Sequence, residues 1–192
     1  MTNTRRYLIA ISFSILVPLS TFAQERLGIR KVDFRNFTFQ SAEKKFVLRD
    51  GNYKEGDASS WYSYSINSVR YSDFDRDGKE EALVVIDFKT SGTLDNAKEY
   101  FVFSYSRSKP RIIFHQWREK PQSFQVQGRQ IIIAAFFWKD GGLCCPAGLE
   151  TSVYRWRSGR FVRASRHLEY RDPSTHWWLS RRTEQTLGAD SP

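Results

Sequence analysis

From Val32 onward, apolar positions recur mostly at every second residue, the period of a strand rather than a helix. Val32–Phe39 is rich in strand-forming residues, but its apolar positions switch from 32 and 34 to 37 and 39. That change of parity predicts a bulge or bend near Arg35-Asn36. Lys45–Leu48 runs into Asp50-Gly51, a dipeptide favoured in tight hairpin turns. Trp61–Ile66 alternates cleanly and Val69–Tyr71 continues it, whereas Ala82–Ile86 is a continuous apolar run, as in a strand covered on both faces. Tyr100–Tyr105, Arg111–Phe114 and Gln130–Trp138 follow, and a last hairpin joins Ser152–Arg157 to Arg160–Arg163 through Ser158-Gly159. About nine strands separated by turn signals, with no helical stretch to carry parallel crossovers, predict an all-β, mainly antiparallel fold. The expected form is a single-domain sandwich or barrel-like sheet with little helix.

The first residues read differently. Arg5-Arg6 precedes an apolar run of 13 residues, Tyr7–Leu19, and small residues lead out of it to Ala23. A basic start, a short apolar centre and a small-residue exit are the signature of a secretory signal peptide over residues 1–23. The run is shorter than the ~20 residues of a membrane-spanning helix, and no second long apolar stretch follows. The expected organisation is therefore a signal peptide (1–23), a linker (24–30), a β domain (31–165) and an irregular or partly helical tail (166–192). Asp172-Pro173-Ser174 could open a helix in that tail, with Gly188 ending it. The chain is expected to be exported, periplasmic or secreted, with no transmembrane segment after cleavage.

Composition narrows the classes. The 192 residues include 6 Trp, 9 Tyr and 15 Phe, too much apolar surface for a disordered chain. Two Cys, side by side, cannot staple a small secreted scaffold. Cleavage after Ala23 removes two Arg and no acid, which lowers the net charge from +9 to +7.

The most specific chemical signal is Asp73-Phe-Asp75-Arg-Asp77-Gly78-Lys79-Glu80-Glu81. Carboxylates at the first, third and fifth positions of a loop converge on one point, and Gly at the sixth permits the sharp turn that follows. A hard cation such as Ca²⁺ takes about 6–8 oxygens. Asp73, Asp75, Asp77 and Glu81 would supply carboxylates and Lys79 its main-chain carbonyl. In an EF-hand the twelfth position carries a bidentate Glu, but here it is Val84, inside an apolar strand. The loop is thus expected to join two strands and to close at its ninth residue. At millimolar calcium, a Kd of about 10⁻⁴–10⁻³ M contributes roughly 0.4–1.4 kcal/mol. Such an ion stiffens a loop, so the expected Ca²⁺ is structural.

Cys144 and Cys145 sit in Gly142-Leu-Cys-Cys-Pro146. Neighbouring Cα atoms lie about 3.8 Å apart, closer than the usual 4.4–6.8 Å of a disulfide, so a vicinal bridge would be strained and would lock a tight turn. Two reduced buried thiols, bridges between chains and a redox role stay open beside it. Zinc would need two further ligands, and the spacing of His115, His167 and His176 does not supply them.

Eight Arg lie between Arg155 and Arg182, opposed only by Glu169 and Asp172. Arg155 and Arg157 alternate with Trp156, which puts the Arg on one face of a strand and the Trp on the other. Together with Trp177 they form a candidate patch for an envelope polyanion; the plain alternative is a hairpin with Trp156 in the core and Arg in water. Export takes the protein away from nucleic acid. The chain has no G-x-S-x-G, H-E-x-x-H, Walker or C-x-x-C motif, and no catalytic residue is identified.

The Asp73–Glu81 loop resembles the calcium loops of FG-GAP/VCBS (integrin-like) repeats, but it occurs once where a propeller would repeat it in each blade. In its order of blocks the chain is similar to a group of uncharacterised exported bacterial proteins. Those blocks are Val32–Thr38, Asp73–Ala82, Gly142–Pro146 with its C-C-P, and Tyr154–Val162. The resemblance spans about residues 32–162 and brings no established activity with it. Arg76 stands where such loops often have Gly; it fits if its backbone stays right-handed, and its charge lowers calcium affinity. The function expected is a binding or envelope-associated module with one structural Ca²⁺. The alternatives are a cell-envelope, glycan-directed hydrolase, and an inhibitor or structural partner of another exported protein.

Overall fold

A computed structural model of the protein describes residues 28–41, 44–92, 97–138, 146–171 and 178–185. The segment expected to be a signal peptide (1–23), Cys144, Cys145 and Trp177 lie outside the described residues. Twelve strands form three antiparallel sheets among them. A small sheet pairs β1 (Thr38–Gln40) with β2 (Lys45–Val47). The first large sheet has the order β3 (Asn52–Gly56), β4 (Trp61–Ser72), β5 (Glu81–Thr90), β6 (Ala97–Ser106), β7 (Lys109–Arg118). The second runs β12 (Trp178–Gln185), β11 (Arg160–Arg171), β10 (Gly148–Arg157), β9 (Gln130–Phe137), β8 (Pro121–Gln127). All-β architecture follows from the period-2 pattern.

The continuous apolar run of β5 is explained by cover on both faces. Ala82, Val84 and Ile86 face the N-terminal segment, where they meet Ile29, Phe34, Phe39, Phe46 and Leu48. Leu83 and Val85 face the second sheet and pack with Ile131, Ile133, Tyr154 and Phe161. The two large sheets thus make a sandwich, and the N-terminal segment caps its outer face.

Several elements differ from the expectation. Val32–Phe39 is not one strand. Residues Ile29–Lys31 and Phe34–Asn36 are 3-10 turns, and only Thr38–Gln40 is extended. The cause is local: the Asp33 carboxylate accepts the Arg35 N–H at 3.0 Å and the Asn36 amide at 2.7 Å, pinning a turn where the parity switches. Instead of an irregular or partly helical tail, residues 166–171 lengthen β11 and residues 178–185 form β12, paired antiparallel with it. Partnership with a neighbouring strand overrides the weak helix signal there. Three strands beyond the expected nine, β3, β8 and β12, are polar edge segments with little apolar pattern of their own.

The turns are as their residues dictate. Asp50 and Gly51 take φ of 51° and 83°, and Ser158 and Gly159 take 47° and 80°, both residues left-handed as in a type I′ hairpin turn.

The sheets are offset. Phe124 of β8 stacks on Tyr100 of β6 at 4.5 Å, and Phe114 of β7 meets Tyr154 of β10 edge-on at 5.0 Å. The second sheet is displaced towards β7, and its last strand, β8, stops short of covering β4.

Candidate metal centre and the adjoining cleft

The acidic loop joins β4 to β5, as the strand-like flanks predict. Two features build it. Phe74, buried between its two acidic neighbours, anchors the loop in the inter-sheet core. Glu81 opens β5 on the face that also carries Leu83, so alternation turns its side chain inward, whereas Glu80 turns outward. Glu80 receives a two-pronged ion pair from Arg30, at 2.6 and 2.8 Å, which ties the N-terminal cap to the loop.

Asp73, Asp75 and Glu81 each present a carboxylate oxygen within 4.8 Å of the others. Asp75 is 6% exposed and Glu81 only 1%. No salt bridge within the chain engages any of the three among the described residues. The main chain organises them instead. The Phe74 N–H donates to Glu81 Oε2 at 2.7 Å, the Asp77 N–H reaches both Asp73 and Asp75 at 3.0 Å, and the Gly78 N–H donates to Asp73 at 3.0 Å. Gly78 has φ of 88°, which a side chain would strain.

Burial pushes the Glu81 carboxyl up to about 8, and the nearby charges of Asp75 and Asp77 add to it against the Phe74 N–H. Burial also raises Asp75, with help from the charges of Asp77 and Asp73, against the Asp77 N–H and the charge of Arg129, which forms no ion pair with it. Acids this crowded and this dry are costly as anions unless a cation sits among them. Their chemistry is all hard oxygen, which fits Ca²⁺ and gives no preference for a softer metal.

Of the five expected ligands, three converge. Asp77 is set slightly apart, its carboxylate accepting the Lys79 N–H at 2.8 Å. Arg76 departs from expectation: its backbone is left-handed, with φ of 61°. The loop keeps the conformation that Gly would adopt, at a cost of about 1–3 kcal/mol for a residue with a Cβ. Its guanidinium lies against the β8–β9 turn, where a Cβ on Gly128 would come 2.9 Å from Nη2. Arg76→Asn tolerates left-handed backbone and removes the charge. It should bind calcium about threefold to tenfold more tightly by titration calorimetry.

Beside the loop the sheet offset leaves a cleft of about 640 Å³. Leu83 and Phe74 form its floor, Arg70 and Ser72 of β4 one wall, and residues 124–128 of β8 and its turn the other. Arg76 and Asp73 close the end nearest the carboxylates. Arg70 and Arg76 make no hydrogen bond or ion pair with the described residues. Sequence reading missed this cleft because β8 went unrecognised; the available signal was the alternation of Phe124 and Val126 with Gln125 and Gln127.

Two further buried or half-buried acids, Glu150 and Glu99, are engaged structurally. Glu150 borders a smaller cleft of about 180 Å³ but is held by Arg166 at 2.8 Å, Ser152 at 2.8 Å and Arg118 at 3.5 Å. Burial works to raise its carboxyl, and these partners outweigh it, so it lies below the usual range. Glu99, fully buried, sits 2.8 Å from His115 Nε2. On β10, Arg155 and Arg157 are exposed while Trp156 packs against the core. That is the arrangement of a hairpin with its Trp inside. Comparison with protein-family models, with curated proteins and with solved structures finds no match for this chain.

Proposed function

We propose that the protein is an exported, periplasmic or secreted binding or envelope-associated module that holds one structural Ca²⁺ at Asp73, Asp75, Asp77, Glu81 and the Lys79 carbonyl. One observation carries the reading. Carboxylates of Asp73, Asp75 and Glu81 converge within 4.8 Å, two of them almost fully buried, with no basic side chain among the described residues bridging to them. The ion would cross-link the end of β4 to the start of β5 and neutralise the repulsion among these acids. Its role is to fix the loop, and through Arg76 and Asp73 one end of the cleft. The partner is another exported protein or an envelope polyanion, with Arg155 and Arg157 as the exposed basic residues on β10. No observation favours the hydrolase alternative, since Glu150 and Glu99 are both tied to basic partners.

Melting of the chain from residue 24, with 2 mM calcium against excess chelator, is the direct test. Calcium at that concentration should raise Tm by about 1–7 °C, from roughly 0.6–1.8 kcal/mol at about 2–4 °C per kcal/mol for a chain of this size. Identical melting curves and a flat calorimetric trace would remove the calcium reading.

A further inference from the structure

We propose that the free edge of β8 is a docking site for an extended acidic segment of a partner protein, which adds to the second sheet as a sixth strand lying in the cleft over β5 and beside β4.

The edge is open along its length, since β8 ends its sheet and pairs only with β9 among the described residues. Gln127 and Gln130 face each other across the two-residue turn Gly128-Arg129. In such a hairpin the pair flanking the turn exchanges hydrogen bonds, and every second residue back along the strand alternates with it, so one set points its N–H and C=O outward. Phe124 and Val126 are that set. Neither main chain makes a hydrogen bond outside the strand ladder, and both residues line the cleft.

Edge protection distinguishes β8 from both edges of the first large sheet. β3 carries Lys54 and Glu55, and β7 carries Lys109, Arg111 and Arg118. Charged side chains of this kind discourage pairing with another chain. Pro121–Gln127 has no charged residue, and its bulge lies at Pro121/Ser123, before the residues that face the cleft. The edge is unguarded where the cleft gives room for one more strand.

The charged side chains lining the cleft are Arg70, Arg76 and Asp73, and its two guanidinia select the occupant. β8 lies over β6, so a strand added beyond it lies over β5, whose Leu83 floors the cleft, and runs beside β4. Val69 and Tyr71 pack towards the N-terminal cap, which leaves Arg70 and Ser72 on the face turned to the added strand. Residues of that strand spaced two apart would meet the unpaired guanidinium of Arg70, with Arg76 at the loop end. Acidic side chains at those positions complete both ion pairs. A glycan fits less well, because the aromatic faces around the cleft are taken: Phe74 is buried, Phe124 is covered by Tyr100, and Arg30 sits over Tyr71.

The inference deepens the binding-module reading by naming the partner's chemistry, and it does not require the ion. The probe is a fluorescein-labelled heptapeptide, Thr-Val-Glu-Val-Glu-Val-Thr, titrated into the chain from residue 24. Saturable binding is expected, with slowed hydrogen exchange at the Phe124 and Val126 amides. Arg70→Glu, on an exposed position, should weaken it about fivefold to tenfold without lowering Tm. A peptide N-methylated at alternate residues keeps the charge and loses the strand hydrogen bonds, so it should fail to bind. Equal binding of the N-methylated peptide overturns strand addition, as does binding confined to a heparin-derived oligosaccharide, or no binding to folded protein. Calcium calorimetry on the same preparation judges the ion separately. Peptide uptake without calcium uptake would leave the edge site standing alone, and the converse would leave only the ion.

Discussion

Replacing Phe39 by Ala should cost about 3–5 kcal/mol, the range for deleting a fully buried aromatic ring. Tm should fall by about 6–20 °C, at about 2–4 °C per kcal/mol. Phe39 is 0% exposed and its ring lies 5.1 Å from Phe37, 5.2 Å from Phe101, 5.7 Å from Phe46 and 5.9 Å from Phe103. Those neighbours come from the small sheet, the turn before it and β6, so no single element can collapse to fill the space. Val47→Ala in the same small sheet is the control, because Val47 is 46% exposed and should change stability by no more than about 0.5 kcal/mol. Equal, small effects of the two substitutions in a denaturant titration would mean that the N-terminal cap is not part of the cooperative core.

Glu81→Gln should weaken calcium binding by at least about 100-fold in calorimetry, beyond the 10–100-fold that loss of an outer-shell partner costs. The substitution keeps the size of the side chain and an oxygen able to accept the Phe74 N–H, so the loop has no steric reason to rearrange. What it removes is one of the four carboxylate ligands assigned to the ion, and the most deeply buried of them. The signs with and without calcium should therefore oppose. In chelator the variant should melt at or above the unsubstituted protein near neutral pH, because the amide is buried neutral, whereas the Glu81 carboxyl, pushed up to about 8 by burial, must take up a proton on folding. In calcium the unsubstituted protein should melt higher. A variant that binds calcium normally would show that Glu81 is not a ligand.

The legible parts of this protein were those governed by near neighbours in sequence. The alternation in Trp61–Ile66, the continuous run Ala82–Ile86 and the Asp50-Gly51 and Ser158-Gly159 turns correspond to strands and turns of the structure, since each depends on side-chain period or a local φ. The acidic loop was legible for the same reason: a short stretch of chain carries the convergence of Asp73 and Asp75 and the turn at Gly78. Val32–Phe39 was misread because Asp33 turns the chain through hydrogen bonds that a hydrophobic pattern does not register. β8 and β12 were overlooked because a polar strand owes its existence to the neighbour it pairs with.

The aromatic period-2 pattern was thus enough to determine an all-β chain and where its acidic loop would fall. Only the tertiary structure decided that Arg76 is left-handed, that Arg30 ties the cap to Glu80, and that β8 stops short of β4 and leaves a cleft. Each of these depends on how two sheets and a cap sit against one another, and contacts between residues tens of positions apart leave no period in the sequence to read.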